Sequence, residues 1–291
     1  MTVFVLHENP EWYPPLAAAF DAEGVEHEQW LLGSGSLALD EAPPPGVYWS
    51  RMSASAHSRG HGQALEHGRA VLSWLEAAGR RVVNGRRVLE LELSKVEQLA
   101  ALRAAGFDVP RTYAVIGPED LLAVAGKLPV PFVAKPNQGG KGLGVRRFDS
   151  VDELGGFEAG SPDGITLLQE YVVPAEPFIT RVEIVGGEFV YAIKADTSRG
   201  GFELCPADAC AIGDAPLFSL REDLDQSIVD RYLEFAARHG IEIAGFEFIE
   251  TADGRLVTYD INTNTNFNPG VEAVAPRSGP RMIARYLAKE V

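Results

Sequence analysis

Cysteine is nearly absent from this chain: two in 291 residues, Cys205 and Cys210 in Leu-Cys-Pro-Ala-Asp-Ala-Cys. Two are too few for a disulfide framework, and their spacing reads as a structural or substrate-lining loop, with a metal or redox pair as the alternative. Positive charge is scarce too. Lys and Arg number 26 against 41 Asp and Glu, a net charge of −15, which argues against nucleic acid or an anionic membrane as partner, since both need a basic face. No apolar run approaches the roughly 18 residues of a membrane span, and residues 1–6 read as a first strand rather than a signal peptide because no basic segment precedes them. The cytoplasm is the expected compartment. Also missing are a Gly-Lys-Ser/Thr opening a helix, the six-residue dinucleotide glycine spacing, and any internal repeat.

What is present is a globular composition, 46% hydrophobic and 23% charged, over a length sufficient for two or three lobes. The most informative segment is Gly245-Phe-Glu247-Phe-Ile-Glu250, followed by a turn at 252–254 and then Tyr259-Asp260-Ile-Asn262-Thr-Asn264-Thr-Asn266-Phe-Asn268. As two strands it sets Glu247, Asp260 and Asn262 on one face, because alternate strand residues share a face. Two carboxylates and an amide, with no thiol or imidazole, suit Mg²⁺ held partly by a nucleotide's phosphates; Mn²⁺ is the alternative ion. An ordinary hairpin with a solvated Asn-rich end is the plainer alternative.

Upstream, Phe132-Val-Ala-Lys135-Pro-Asn-Gln-Gly139-Gly140-Lys141-Gly142-Leu-Gly144-Val reads as a lysine-bearing strand, a glycine-rich turn and a second strand beginning near Gly144. Glycines let successive amides approach anionic oxygens, and Lys135 adds a point charge, so the segment reads as a phosphate cradle. Between these two segments lies Thr166-Leu-Leu-Gln169-Glu170-Tyr171-Val172, a strand running into a connector whose backbone can meet an adenine edge.

The order of lysine strand, glycine-rich loop, Gln-Glu-Tyr-Val hinge, Arg181-Val-Glu183 strand and acidic strand pair ending in Asp-x-Asn is similar to the ATP-grasp superfamily, and within it resembles the RimK-like glutamate ligase branch. The resemblance covers roughly residue 86 onward. It implies an α/β fold (α+β in the usual wording): the ATP-grasp fold behind an N-terminal Rossmann-like, pre-ATP-grasp lobe. It implies ATP contacts at Lys95, Lys135, Gly139, Gly140, Lys141 and Gly142, adenine recognition at Gln169, Glu170, Tyr171 and Val172, and the metal on Glu247, Asp260 and Asn262. Arg181 and Lys194 are then the cationic groups facing transferred phosphate. Relatives in this branch often carry Asp-Ile-Arg where this chain has Ile179-Thr180-Arg181, which leaves Glu176 as the ribose partner, and Glu-Val-Asn where this chain has Asp260-Ile-Asn262.

Strands at 3–6, 25–32 and 46–50 with a helix at 14–23 alternate like a small parallel sheet. A helix at 67–79 with a stripe of Ala70, Val71, Trp74, Leu75 and Ala78, a strand at 81–84, a helix from 94 and a closing helix at 280–289 complete the outline. Three units are expected: 1–88, 89–165 and 166–291. In the first, residues 48–61 follow a parallel strand, where ligands of open α/β sheets bind. Arg51 and Arg59 are expected to clamp a substrate carboxylate, with Ser53 or His57 assisting and Asn264 as a further substrate contact. Zinc on His57 and His61 is the weaker alternative, and residues 196–205 are expected to form a flap shielding the reaction.

The resemblance implies an ATP-dependent ligase joining a carboxylic acid to an amine through an acyl phosphate, with ATP and both substrates as partners and a homodimer or homotetramer as the assembly. Two alternatives stay open: a kinase using the same nucleotide machinery, and a nucleotide-binding regulatory module without turnover.

Overall fold

The computed structural model describes residues 1–198 and 217–291. The expected Cys205–Cys210 loop, and all of the expected flap beyond Ser198, lie outside the described residues. The first four strands, β1 (Thr2–His7), β2 (His27–Leu31), β3 (Gly46–Ser50) and β4 (Arg81–Val83), form a parallel sheet of order β2-β1-β3-β4. Parallel pairing needs crossovers, and helices α1 (Pro14–Ala22) and α2 (Gly62–Ala77) supply two of them. Helix α2 starts five residues earlier than expected, and Ala64, Leu65, Gly68, Val71, Leu72 and Leu75 form its buried stripe. Ala70 and Ala78, expected in that stripe, are exposed, while Trp74 is half-buried against Trp30 at the margin of the same core as Leu72.

Two helices follow, α3 (Arg86–Leu93) and α4 (Lys95–Ala104). Ser94 caps α4 by accepting from Glu97 N. Helix α3, not expected from the sequence, spans two cores: Leu89 and Leu93 pack with β1 and α2, while Val88 and Leu91 pack with the C-terminal half. A second sheet, antiparallel, contains β5 (Thr112–Ile116), β6 (Phe132–Pro136), β7 (Arg146–Phe148) and β8 (Ile165–Glu170) in the order β5-β8-β6-β7, with α5 (Leu121–Ala125) beside it. The boundary at 166 assigns β8 to the last unit, but β8 is hydrogen-bonded between β5 and β6.

The third sheet is antiparallel, of order β11-β10-β9-β12-β13, from β9 (Phe178–Val185), β10 (Glu188–Asp196), β11 (Phe218–Leu220), β12 (Ile243–Glu250) and β13 (Leu256–Asn262). Alternation divides its two faces. Val182, Ile184, Ala192, Phe246 and Phe248 face α6 (Gln226–His239), whose Tyr232 stacks on Phe246 at 4.5 Å. Arg181, Glu183, Ile193 and Glu247 face a cavity instead. The chain closes with α7 (Pro269–Glu272) and α8 (Gly279–Glu290), the latter packed against α1 and β9. No described helix is long and apolar enough to cross a membrane.

Candidate active site

A cavity of about 500 Å³ opens between the second and third sheets and reaches the first. Its floor is the β12–β13 hairpin, where Glu247 pairs across the strands with Asp260 and Gly245 with Asn262. Register slips after Glu247, so that Thr258 opposes Phe248 and Tyr259 is the extra residue of a bulge. The bulge leaves both Tyr259 and Asp260 on the cavity wall, and Tyr259 OH donates to Glu247 Oε2 at 2.8 Å. Asn262 Nδ2 donates to Glu247 Oε1 at 3.0 Å. Two buried carboxylates held side by side repel: burial first, then the Asp260 charge, raises the Glu247 carboxyl above its usual range. Burial acts on Asp260 in the same direction, but Lys95 and Lys135 outweigh it and hold that carboxyl low. This donor set fits a hard divalent cation that completes its coordination with phosphate and water, Asn262 turning its Oδ1 inward. No group of three His, Cys, Asp or Glu suited to a metal occurs among the described residues, so zinc on His57 and His61 finds no support.

Lys95 Nζ donates to Asp260 Oδ1 at 2.6 Å. It is placed by Asn137, whose Oδ1 accepts from Val96 N and whose carbonyl accepts from Lys95 N, tying the start of α4 to the end of β6. Lys135, from β6, has no ion pair among the described residues and sits over the Tyr259 ring. Burial lowers its ammonium to about 8, with Lys95 adding to the effect. The glycine-rich loop lines the same cavity as these two lysines. Gly144 adopts φ of +73°, and a Cβ there would meet Ala159 O at 2.4 Å, so only glycine fits. Lys141 is held at φ +60°, an uncommon backbone for a side-chain-bearing residue. Gly139, Gly140, Lys141 and Gly142 all line the cavity, as do Gln169, Glu170, Tyr171 and Val172 at its other end. There Val133, Val145, Ile179 and Ile249 make an apolar slot of the kind that takes a flat base.

Arg181 lies in the cavity wall with its Nε 2.7 Å from Glu183 Oε1 and Nη1 3.6 Å from Glu247 Oε1. Gly245 gives it room, since a Cβ there would lie 2.4 Å from Arg181 Nε. Lys194 is a correction. Its neighbours Ile193 and Ala195 line the cavity, so by alternation Lys194 points to the other face, over the Phe178 ring and 3.5 Å from Asp223. Glu176 is exposed and outside the wall, so the ribose assignment finds no support either.

The expected carboxylate clamp is not built. Arg51 is 2% exposed and lies behind the wall, donating to Thr265 O at 3.1 Å and to Asn266 Oδ1. Arg59 is taken by Glu8 and donates to Ser55 Oγ at 2.9 Å. His57 faces Ala54 O, and of this group only Ser53 reaches the cavity, where Asn264 also stands. The sequence reading missed Trp12, Glu92, Glu183 and Asn266, all cavity-lining. Glu183 was readable as the alternate neighbour of Arg181, and Asn266 as the alternate neighbour of Asn264; Trp12 and Glu92 are isolated in sequence and meet the site only through the fold.

Lys135 yields a first prediction. Its ammonium is half-neutral at pH about 8 in the free protein, and a bound phosphate would raise it. Metal-free ADP binding therefore takes up a proton near that pH, and affinity falls by up to about tenfold per pH unit above it. Lys135→Arg stays charged, so its affinity is flat over the same range. Calorimetry at pH 8.5 in two buffers of different ionisation enthalpy measures the uptake; equal heats would refute it.

No family model matches the chain. Over 234 residues it is 26% identical to a probable alpha-L-glutamate ligase of Klebsiella pneumoniae, spanning 76% of this chain and 71% of the relative. It is 25% identical to a ribosomal protein bS6–L-glutamate ligase of Salmonella paratyphi B, with the same coverage. Among solved structures, the ATP-grasp ligase PsnB in complex with a minimal precursor, Mg and ADP superposes with a TM-score of 0.70 at 18% identity, over 99% of this chain and 96% of that one. The fold is therefore the ATP-grasp fold.

Proposed function

We propose that this chain, an ATP-grasp protein similar to the RimK-like glutamate ligases and an ATP-dependent ligase forming C–N bonds, activates a small carboxylic acid as an acyl phosphate and passes it to an amine. The observation that carries the reading is one cavity lined by Lys95, Lys135 and the glycine-rich loop together with Glu247, Asp260 and Asn262, with Lys95 on Asp260 and Arg181 beside Glu247. The apolar slot at 169–172 takes the base of ATP. Among the described residues Lys135 and Lys141 carry no competing ion pair, which leaves both ammonium groups for phosphate oxygens. Mg²⁺ on Glu247, Asp260 and Asn262 neutralises phosphate charge when bound.

The substrate carboxylate attacks the γ-phosphorus, ADP leaves, and the amine displaces phosphate from the acyl group. Two similar charges pass through that sequence, an anionic phosphoryl group and a tetrahedral oxyanion, and Arg181 is placed to meet both. Acidic overall charge disfavours a bulk acidic acceptor, so an amino acid or other small metabolite fits better than a long polyglutamate tail. An enzyme consuming ATP in this way belongs in the cytoplasm.

The test is an ADP-release screen with Mg-ATP, pairing pools of amino and keto acids with pools of amines, followed by mass spectrometry. ADP with a condensed product short of one water is the expected result, and hydroxylamine in place of the amine should trap the acid as its hydroxamate. A phosphorylated alcohol would make the enzyme a kinase. ADP independent of any acid would overturn the ligase assignment.

A further inference from the structure

Glu92, in the last turn of α3, lines the cavity at 8% exposure. Oε2 accepts from Thr263 N at 2.8 Å and from Thr263 Oγ1 at 2.9 Å, while among the described residues Oε1 accepts only from Ala54 N, at a long 3.3 Å. All three donors are neutral. Among the described residues no Lys, Arg or His pairs with this carboxylate, unlike Asp260 on Lys95 or Glu183 on Arg181. Lys95 acts on this carboxylate only through space, without a direct ion pair, and burial raises the Glu92 carboxyl above its usual range, so a ligand's cation placed on Oε1 would hold it ionised.

The neighbouring wall has the same character. From Asn262 on, Thr263 and Thr265 turn inward to Glu92 and Glu183, and Asn262, Asn264 and Asn266 turn to the cavity. Asn264 makes no hydrogen bond among the described residues, and its Oδ1 is buried without a partner. Ser53 and Ser55, also cavity-lining, bring two hydroxyls from the first sheet. Under-used acceptors thus surround one end of the cavity, adjoining the Asn262 end of β13 and away from the base slot.

We infer that Glu92 and Asn264 form the subsite for the acceptor substrate's amine, which docks as a primary ammonium donating to Glu92 Oε1 and, once the Asn264 amide turns its buried oxygen outward, to Asn264, and which gives one proton to the Glu92 carboxylate before the freed amine attacks the acyl group. An ammonium offers three donors and a direct positive partner, and it would stand between Glu92 and Asn264, which are joined through Thr263 to the Asn262 end of β13. This inference rests on the ligase reading, because it gives the site's second substrate its charged group.

Glu92→Gln is the discriminating variant: its single amide oxygen keeps both Thr263 donors, while its NH2 replaces Oε1 opposite Ala54 N, so the charge and the acceptor offered to the ammonium are removed together at the cost of one long hydrogen bond. The probes are a pool of amino acid amides and the same pool N-acetylated, followed by saturation-transfer NMR on the Mg-ADP-loaded protein. Wild type should bind the free amines and not the acetylated pool, and Glu92→Gln should weaken amine binding by roughly thirtyfold or more while Mg-ADP affinity stays within about twofold. Equal binding of both pools, no amine binding to wild type, or unchanged amine affinity in the variant would overturn the subsite. A parallel loss of Mg-ADP affinity would make Glu92 a strut for the Asn262 turn instead. Ammonium binding that depends on Glu92, without any amine-dependent condensed product in the ADP screen, would sink the ligase reading alone.

Discussion

Asp260→Asn should lower acid- and amine-dependent ADP release by about 10³-fold with the fold unchanged. Asp260 is the junction of the site: it faces Glu247 across the hairpin, accepts Lys95 Nζ at 2.6 Å, and is held ionised by Lys95 and Lys135 against its own burial. An amide of the same shape keeps an oxygen for Lys95, so the buried ammonium retains a partner and the near-ultraviolet circular dichroism should match wild type. What is lost is one of two carboxylate charges in the proposed cation site. The Glu247 carboxyl should then ionise more readily, because the adjacent like charge that helps raise it has gone. Loss of turnover should therefore come with weaker Mg-dependence of ADP binding, measured by titrating Mg²⁺ at fixed ADP. Retained turnover would remove Asp260 from the nucleotide site altogether.

The hairpin was legible in sequence because its signals are local: alternation on two short strands, a Gly254 turn at φ +83°, and acidic residues at matching positions. The glycine-rich loop was legible for the same reason. Lys194 was misplaced because the reading took its strand as a site strand without following alternation from Arg181. The register pairs Arg181 with Ile193, so Ile193 and not Lys194 shares the Arg181 face. Arg51 was misread for another reason. A guanidinium after a parallel strand looks like a ligand clamp until the third sheet is in place, and its partners, Thr265 and Asn266, lie more than 200 residues away. Burial then lowers the Arg51 guanidinium to about 10, and it steadies the Asn266 turn from behind. Glu92 was invisible because α3 is short and its acidic residues alternate with leucines. Only the packing of Leu89 and Leu93 against one core and Leu91 against another turns Glu92 toward the cavity.

The second large effect belongs to Arg181. Replacement by Met should reduce kcat by about 10²- to 10³-fold with ATP KM changed only severalfold, if Arg181 meets charge that develops during reaction rather than charge already on ATP. The obvious objection is structural. Arg181 pairs with Glu183, which is 2% exposed, and Arg181→Met strands that carboxylate, costing about 3–5 kcal/mol and weakening the fold by itself. Two further variants separate these roles. Arg181→Met with Glu183→Gln removes both charges, and Thr265 Oγ1, which donates to Glu183, can still donate to the amide oxygen, so thermal stability should recover while turnover does not. Gly245→Ala leaves every charge in place but puts a Cβ 2.4 Å from Arg181 Nε, so the guanidinium must shift. A loss of kcat in Gly245→Ala approaching that of Arg181→Met would mean that the position of the guanidinium, not the charge alone, is what catalysis uses. Recovery of turnover in the double variant would instead reduce Arg181 to a counter-ion for Glu183.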